Sequence, residues 1–324
     1  MIRIFRLFVL GILSLSGFAR AEVAANYPSQ PIKIIVPFTA GGPADNVARF
    51  IGQRLSEVWR QPVFIENRPG AGGMIGADAA AKAAPDGYTL VELVTGHTIM
   101  PGMQQKMPYQ MPHDFTPIII INHAPKLVVV NPSVPAKSFR ELIALEKSEP
   151  AKYGSYGTSG VGSLAHLSME LVNELAGTSF VHIPYKGGSA TLSDLLGGQL
   201  PVGVLDLGSV LPQVRDGRLK VLAVTSATRS LVLPDVPTIS EILPGFEATE
   251  WFGLAGPRGI PPDIVSKLNQ EIRRALSSPE AKAKYIDGLG WELPASTPEE
   301  MGIMMEQQTK KWGNLVHRLG LKAQ

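Results

Sequence analysis

Two loops carry most of the chemistry that this sequence could perform. Pro37-Phe38-Thr39-Ala40-Gly41-Gly42-Pro43 leaves an apolar run and opens a stretch of helical spacing that begins with Asp45. Tyr156-Gly157-Thr158-Ser159-Gly160-Val161-Gly162-Ser163 repeats the design, with His166 in the first helical turn that follows. Glycine lets backbone come close to a ligand, and the free N–H groups of a helix start, with the helix dipole behind them, favour an anion. A carboxylate fits such a place. Either loop alone fits an ordinary strand-to-helix turn as well, but two of them facing each other across a cleft are more specific than one.

The candidate binding residues are therefore Phe38, Thr39, Ala40, Gly41, Gly42 and Asp45 in the first loop, and Thr158, Gly160, Gly162, Ser163 and His166 in the second. Asp45 reads as a complement to the helix dipole or as an acceptor for a water or a ligand donor. His166 reads as a helix-start histidine making one hydrogen bond, with direct ligand contact as the alternative. A third turn, Tyr185-Lys186-Gly187-Gly188-Ser189, adds Lys186 and Gly187. Asp206 ends an apolar run, the position at which open α/β sheets place their ligands.

Other chemistries fail on residue type or spacing. The chain contains no Cys, which excludes disulfide scaffolds, thiol catalysis and Cys-based metal sites. Gly157-Thr158-Ser159-Gly160 lacks the spaced glycine of a nucleophile elbow, so a serine hydrolase has no supported nucleophile. The six His are isolated, and His166 with Glu170 offers two metal ligands at most, so no metal and no cofactor is expected. Gly70-Ala71-Gly72-Gly73-Met74-Ile75-Gly76, followed later by Glu92, resembles a dinucleotide fingerprint, but the gap between glycines is three residues where two are required. No run of Lys or Arg supplies a phosphate-binding stripe, so nucleic acid is not a partner.

The elements that must position the loops follow from periodicity. Ile32–Val36, Val63–Glu66, Tyr88–Leu93 and Ile118–Ile121 read as strands, several with no polar face, which implies buried and mostly parallel strands. Val47, Ile51, Leu55 and Val58 recur at helical spacing behind Pro43, and Gln61-Pro62 ends that helix. A second series has strands at Leu127–Asn131, Phe180–Ile183, Val202–Leu205 and Leu219–Thr225, and a helix with Leu164, Leu167, Leu171 and Leu175 that ends at Gly177. Stretches rich in Pro at 108–125 and 234–244 bracket this middle portion. The last 75 residues read as mostly helical, with Ile264, Leu268, Ile272 and Leu276 on one face. The expected fold class is α/β with two lobes, each a mixed and mostly parallel sheet flanked by helices. Residues 22–122 and 241–324 form a discontinuous first lobe, 123–240 form the second, and the cleft lies between them.

At the amino terminus, Arg3 and Arg6 precede an apolar run over 7–18 that is too short to span a bilayer, and Ala19-Arg20-Ala21 supplies an A-x-A site. A cleavable secretory signal over 1–21 is expected, and with it a periplasmic location. Removing those 21 of 324 residues takes away three arginines and no acid, which turns the formal charge from +2 to −1. Attraction for an anion must then come from local helix starts.

The sequence also resembles the Bug family, the extracytoplasmic solute receptors of tripartite tricarboxylate transporters, over essentially the whole mature chain. The resemblance rests on Ile35-Val36-Pro37-Phe38 with Gly41-Gly42 and Asp45, on Glu66-Asn67-Arg68-Pro69-Gly70-Ala71-Gly72-Gly73, and on Pro85-Asp86-Gly87-Tyr88-Thr89-Leu90. Gly162-Ser163 with His166-Leu167, Pro184-Tyr185-Lys186-Gly187, Leu195-Leu196-Gly197-Gly198-Gln199 and Leu233-Pro234-Asp235-Val236-Pro237-Thr238 extend it. It implies the two-lobed periplasmic binding protein fold of type II kind, a small carboxylate ligand and the membrane subunits of a transporter as partners. It further implies that the loops matching Thr39–Gly42 and Thr158–Ser163 hold the ligand carboxylate, partly through ordered water, and that Asp45 and Asp206 match the family's acidic cleft positions. This chain departs from the pattern at Thr39-Ala40, where Pro is common, at Thr158, where Ser is usual, and at Pro201, where an acid is frequent. The first two keep a hydroxyl and backbone donors. The expected protein is a monomeric binding protein and no enzyme. A sensor that presents its closed form to a receptor kinase is the alternative among binding proteins, and a secreted hydrolase of carboxylate derivatives the alternative among enzymes.

Overall fold

The computed structural model describes residues 26–103 and 106–322. The proposed signal segment therefore lies outside the described residues. Two five-stranded sheets form the frame. The first has strand order β2-β1-β3-β10-β4, from β1 (Ile32–Val36), β2 (Val63–Asn67), β3 (Thr89–Val94), β4 (Phe115–Ala124) and β10 (Glu250–Pro257). The second has order β7-β6-β8-β5-β9, from β5 (Lys126–Val130), β6 (Ser155–Thr158), β7 (Val181–Pro184), β8 (Val202–Asp206) and β9 (Lys220–Val224). The two orders are the same pattern repeated.

Both sheets are mixed and mostly parallel in strand direction: β1, β2, β3 and β4 run one way and β10 the other, and β6, β7, β8 and β9 run one way and β5 the other. β1 pairs parallel with β2 and β3, while β10 runs antiparallel to β3 and β4. β6 pairs parallel with β7 and β8, while β5 runs antiparallel to β8 and β9. The uninterrupted apolar runs reflect burial on both faces, because helices cover each sheet on both sides. Ile34, Val36, Leu90 and Ile121 enter a core with the helices α1 (Pro43–Trp59) and α8 (Pro262–Leu276). Ile35, Val91, Leu93 and Ile120 enter another on the opposite face. The second sheet is treated likewise, with Val128 and Val204 on one side and Val129 and Leu205 on the other.

Strand β10, with the sequence EWFGLAGP, was not expected, since the last 75 residues read as mostly helical. Its glycines are required by packing. A Cβ at Gly253 would lie 2.8 Å from Met301 Cε and 2.9 Å from the Ile119 carbonyl oxygen, and one at Gly256 would lie 2.2 Å from Ile260 Cδ1. The helix α3 (Thr95–Met103), which contains Pro101 and Gly102, escaped periodicity for the same reason: a Cβ at Gly102 would meet Gly313 Cα at 2.9 Å.

The chain passes between sheets at Ala124-Pro125-Lys126, and returns through 225–249 to Glu250. One element belongs to both halves. The C-terminal helix α9 (Pro298–Leu319) places Met301 and Met305 in the core of the first sheet and Trp312, Leu315 and Val316 in that of the second. A capping box of Thr297 and Glu300 starts it and left-handed Gly320 ends it. Trp312 is fully buried and donates from Nε1 to Gln308 Oε1 at 2.5 Å. Replacing Trp312 by Ala should cost about 3–5 kcal/mol, as large-to-small changes in a core do. A lowered midpoint in urea unfolding checks this.

Candidate functional site

A cavity of about 650 Å³ opens between the two sheets and is lined from both. Phe38, Thr39, Gly42, Val94, Phe252 and Trp291 come from the first side, and Ser159, Gly162, Ser163, Leu164, Asp206 and Ser209 from the second. Lys126 and Glu250, at the two crossings of the chain, also line it.

The two helix starts are built alike. In the first loop Gly41 is left-handed (φ 86°) and its N–H donates to Asp45 Oδ2, four residues on, at 2.9 Å. In the second, Gly162 is left-handed (φ 73°) and its N–H donates to His166 Nδ1, again four residues on, at 3.0 Å. Each side chain folds its loop back over its helix start, and the left-handed turn favours glycine at both positions. No side chain caps α1 at Gly42, and Pro43 fits its first position without an N–H. Helix α5 (Leu164–Ala176) is capped by Ser163, whose Oγ accepts from the His166 N–H at 3.2 Å and donates to the Gly160 carbonyl at 2.8 Å. Leu164 and Ala165, which line the cavity, bring the next donors of that turn to it.

The expected site residues divide accordingly. Phe38, Thr39, Gly42, Gly162, Ser163 and Asp206 line the cavity. Asp45 does not. It is buried, Oδ2 also accepts from Arg49 Nε at 2.9 Å, and Oδ1 accepts from Asn67 Nδ2 at 2.8 Å. Both oxygens accept hydrogen bonds that shape the loop. Burial works against its charge, but the bonds from Arg49, Gly41 and Asn67 outweigh that and hold its carboxyl below the usual value. Ala40 and Gly41 sit on the outer side of the loop, exposed. Thr158 is buried, with Oγ1 at 2.7 Å from His182 Nε2, and Gly160 donates its N–H back to it at 3.3 Å. Lys186 is exposed, and Gly187 opens the helix α6 (Gly188–Leu196); neither lines the cavity.

His166 accepts the Gly162 N–H and does not line the cavity. Its ring stacks on that of His182 with centroids 4.0 Å apart, and burial pushes both imidazoles down to about 4. Charge on the neighbouring ring adds to the effect at His182. Neutral His166 can accept the Gly162 N–H; the imidazolium cannot.

Lys126 and Glu250 were not expected. Neither belongs to a motif, and only the ladders reveal them. Lys126 lies directly opposite Asp206 in the β5–β8 register, and Glu250 opposite Ala124 in the β10–β4 register. Lys126 Nζ reaches Asp206 Oδ1 and Glu250 Oε2, each at 2.5 Å. Burial disfavours the ammonium, but the two carboxylates outweigh it and raise Lys126 above its ordinary value. The glycines at 70–76 form a short turn and the start of α2 (Met74–Ala81), with Gly72 on the cavity wall. Glu92 is fully buried, and burial first, with Asp45 second, raises its carboxyl well above the normal range. No group of His, Asp and Glu among the described residues could hold a metal.

The receptor of the tripartite tricarboxylate transporter family, TctC, matches this chain over residues 47–321. Protein BugT of Bordetella pertussis is 36% identical over 324 residues, covering 98% of each chain. Rpa4515 of R. palustris, described with adipate, is 34% identical with a TM-score of 0.76, over 91% of this chain and 99% of the other. MatC from Rhodopseudomonas palustris, described with bound malate, is 31% identical with a TM-score of 0.72, over 90% and 100%. The matched family is one of receptors.

The histidine geometry has a pH consequence. The folded-state values lie below the unfolded value near 6.5, so the unfolded chain takes up protons first and stability falls as the pH drops from about 6.5 towards 4. Each histidine contributes a slope of at most about 1.4 kcal/mol per pH unit. Urea unfolding at pH 7, 6, 5 and 4 should show this loss, and His166→Gln should show a shallower one.

Proposed function

The chain belongs to the receptor family of tripartite tricarboxylate transporters, and from that premise we propose that it captures a small carboxylate in the cavity between its sheets and delivers it to the membrane subunits of such a transporter. The observation that carries this reading is that two helix starts from opposite sides, α1 and α5, open on one cavity, with donors that the protein's own side chains leave unspent. A carboxylate between them accepts from both and faces the positive ends of two helix dipoles. The adipate and malate of the two relatives support the same ligand class. Affinity is no obstacle. A ligand of about nine heavy atoms, at no more than about −1.5 kcal/mol per atom, can exceed the roughly −8.2 kcal/mol of a micromolar complex.

Delivery needs a difference between loaded and empty states. Residues 22–122 with 241–324 form one lobe and 123–240 the other, with residues 1–21 removed on export to the periplasm. The lobes close about the crossings at Ala124–Lys126 and Glu250, and the transporter reads closure in a single receptor chain. The helix α9, which enters both cores and does not line the cavity, limits how far they part.

Gly42 separates binding from folding. Its backbone (φ −75°, ψ 171°) suits any residue, and the nearest atom to an added Cβ is the Thr39 carbonyl oxygen at 3.7 Å. Gly42→Leu should therefore keep its melting temperature within about 2 °C, a shift of a few tenths of a kcal/mol. It should lose carboxylate affinity by at least about tenfold, some 1.4 kcal/mol, in calorimetric titrations against aliphatic and aromatic carboxylates. A wild type that binds no carboxylate, while a sugar or an uncharged solute raises its melting temperature, would contradict the proposal.

A further inference from the structure

We infer that Asn67 and His182, one on each edge strand, are positioning residues that hold the two loops in the shape that receives the carboxylate. The inference rests on the carboxylate-receptor reading and deepens it. Strands β2 and β7 occupy equivalent ends of the two sheets, beside β1 and β6, from which the loops leave. Asn67 lies opposite Val36 in the β1–β2 register and its side chain bonds Phe38, two residues further on. His182 lies opposite Tyr156 in the β6–β7 register and its side chain meets Thr158, again two residues further on. The same offset recurs because residues two apart along an extended chain share a face. Neither Asn67 nor His182 lines the cavity, and both reach the residues that shape it.

On the first side, Asn67 Nδ2 donates to the Phe38 carbonyl at 3.1 Å and to Asp45 Oδ1 at 2.8 Å, while Asn67 Oδ1 accepts from Arg49 at 3.1 Å. One amide thus ties the entry of the loop to the carboxylate that holds Gly41. On the second side, His182 Nε2 lies 2.7 Å from Thr158 Oγ1, which accepts from the Gly160 N–H at 3.3 Å. The His182 ring also stacks on His166, the acceptor for the Gly162 N–H. In each half, then, one edge-strand side chain touches both the loop entry and the acceptor that folds the loop back. Donors receive an anion at full strength only when a supporting shell fixes their geometry to about 0.5 Å. Both residues are half-buried at a sheet edge and brace loops, so their loss falls on binding more than on the two cores.

The test exchanges donor and acceptor across the first pair and reads calorimetric affinity for the tightest binder among adipate, malate, hexanoate and 3-phenylpropionate. Asn67→Asp keeps the size of the side chain but sets a like charge against Asp45, and should weaken binding at least about tenfold. Adding Asp45→Asn returns one donor and one acceptor to the pair and leaves an oxygen for the Gly41 N–H, so the double variant should bind at least about threefold tighter than Asn67→Asp alone. Loss of packing alone would show no such rescue. On the other side, His182→Leu should cost at least about tenfold, and His182→Gln, which still offers Thr158 a hydrogen bond, should recover part of it. If Asn67→Asp folds poorly, the His182 pair decides the question. Folded Asn67→Asp or His182→Leu binding as tightly as the wild type, or a double variant no tighter than Asn67→Asp, would overturn the inference and leave the receptor reading intact. A wild type that binds none of the four acids would overturn the reading beneath it.

Discussion

A glycine N–H held by a side chain four residues later is the interaction on which the rest of the site depends. Gly41 with Asp45 and Gly162 with His166 use it in the two halves of the molecule. Each bond returns the loop over its own helix start while leaving the first helical N–H groups unbonded to side chains beyond the Ser163 cap. The acceptors differ in kind, a carboxylate stabilised by Arg49 and Asn67 in one half and a neutral imidazole stacked on His182 in the other. A single physical solution thus tolerates two chemistries. The neutral acceptor has the cost that acid converts it to a donor, which ties the second loop to pH.

The sheets exist, in this view, to aim those two starts at a common space. Strands β1 and β6 deliver the loops from equivalent positions in sheets of repeated order, and the crossings at Ala124-Pro125-Lys126 and Glu250 set how the sheets face. Lys126 ties the crossings together through Glu250 and joins the second sheet through Asp206. Paired charges of this kind contribute little net stability once desolvation is counted.

The loops and most strands were legible in the residues because each follows a local rule: glycines before a helix, apolar runs in strands, Gly177 closing α5 in the left-handed conformation. What was not legible depends on distant contacts. Strand β10 and helix α3 carry glycines demanded by neighbours such as Met301, Ile260 and Gly313, which periodicity cannot sense. Lys126 and Glu250 lie 124 positions apart and meet only through the ladders. Asp45 was open between complementing the helix dipole and meeting a water or a ligand donor, since sequence shows a carboxylate near glycines and not which way its oxygens turn. Burial, with the bonds from Gly41, Arg49 and Asn67, settles that.

The central claim is that one carboxylate is held by both halves and draws them together. The absence of cysteine allows a clean measurement: spin labels at Phe64→Cys and Val181→Cys, exposed positions on β2 and β7, read the distance between the sheets by pulsed electron resonance. Saturation with a binding carboxylate should shorten and narrow the distance distribution, and the methyl ester of the same compound should leave it unchanged. An unchanged distribution with the carboxylate, or an equal shift with the ester, would contradict the account.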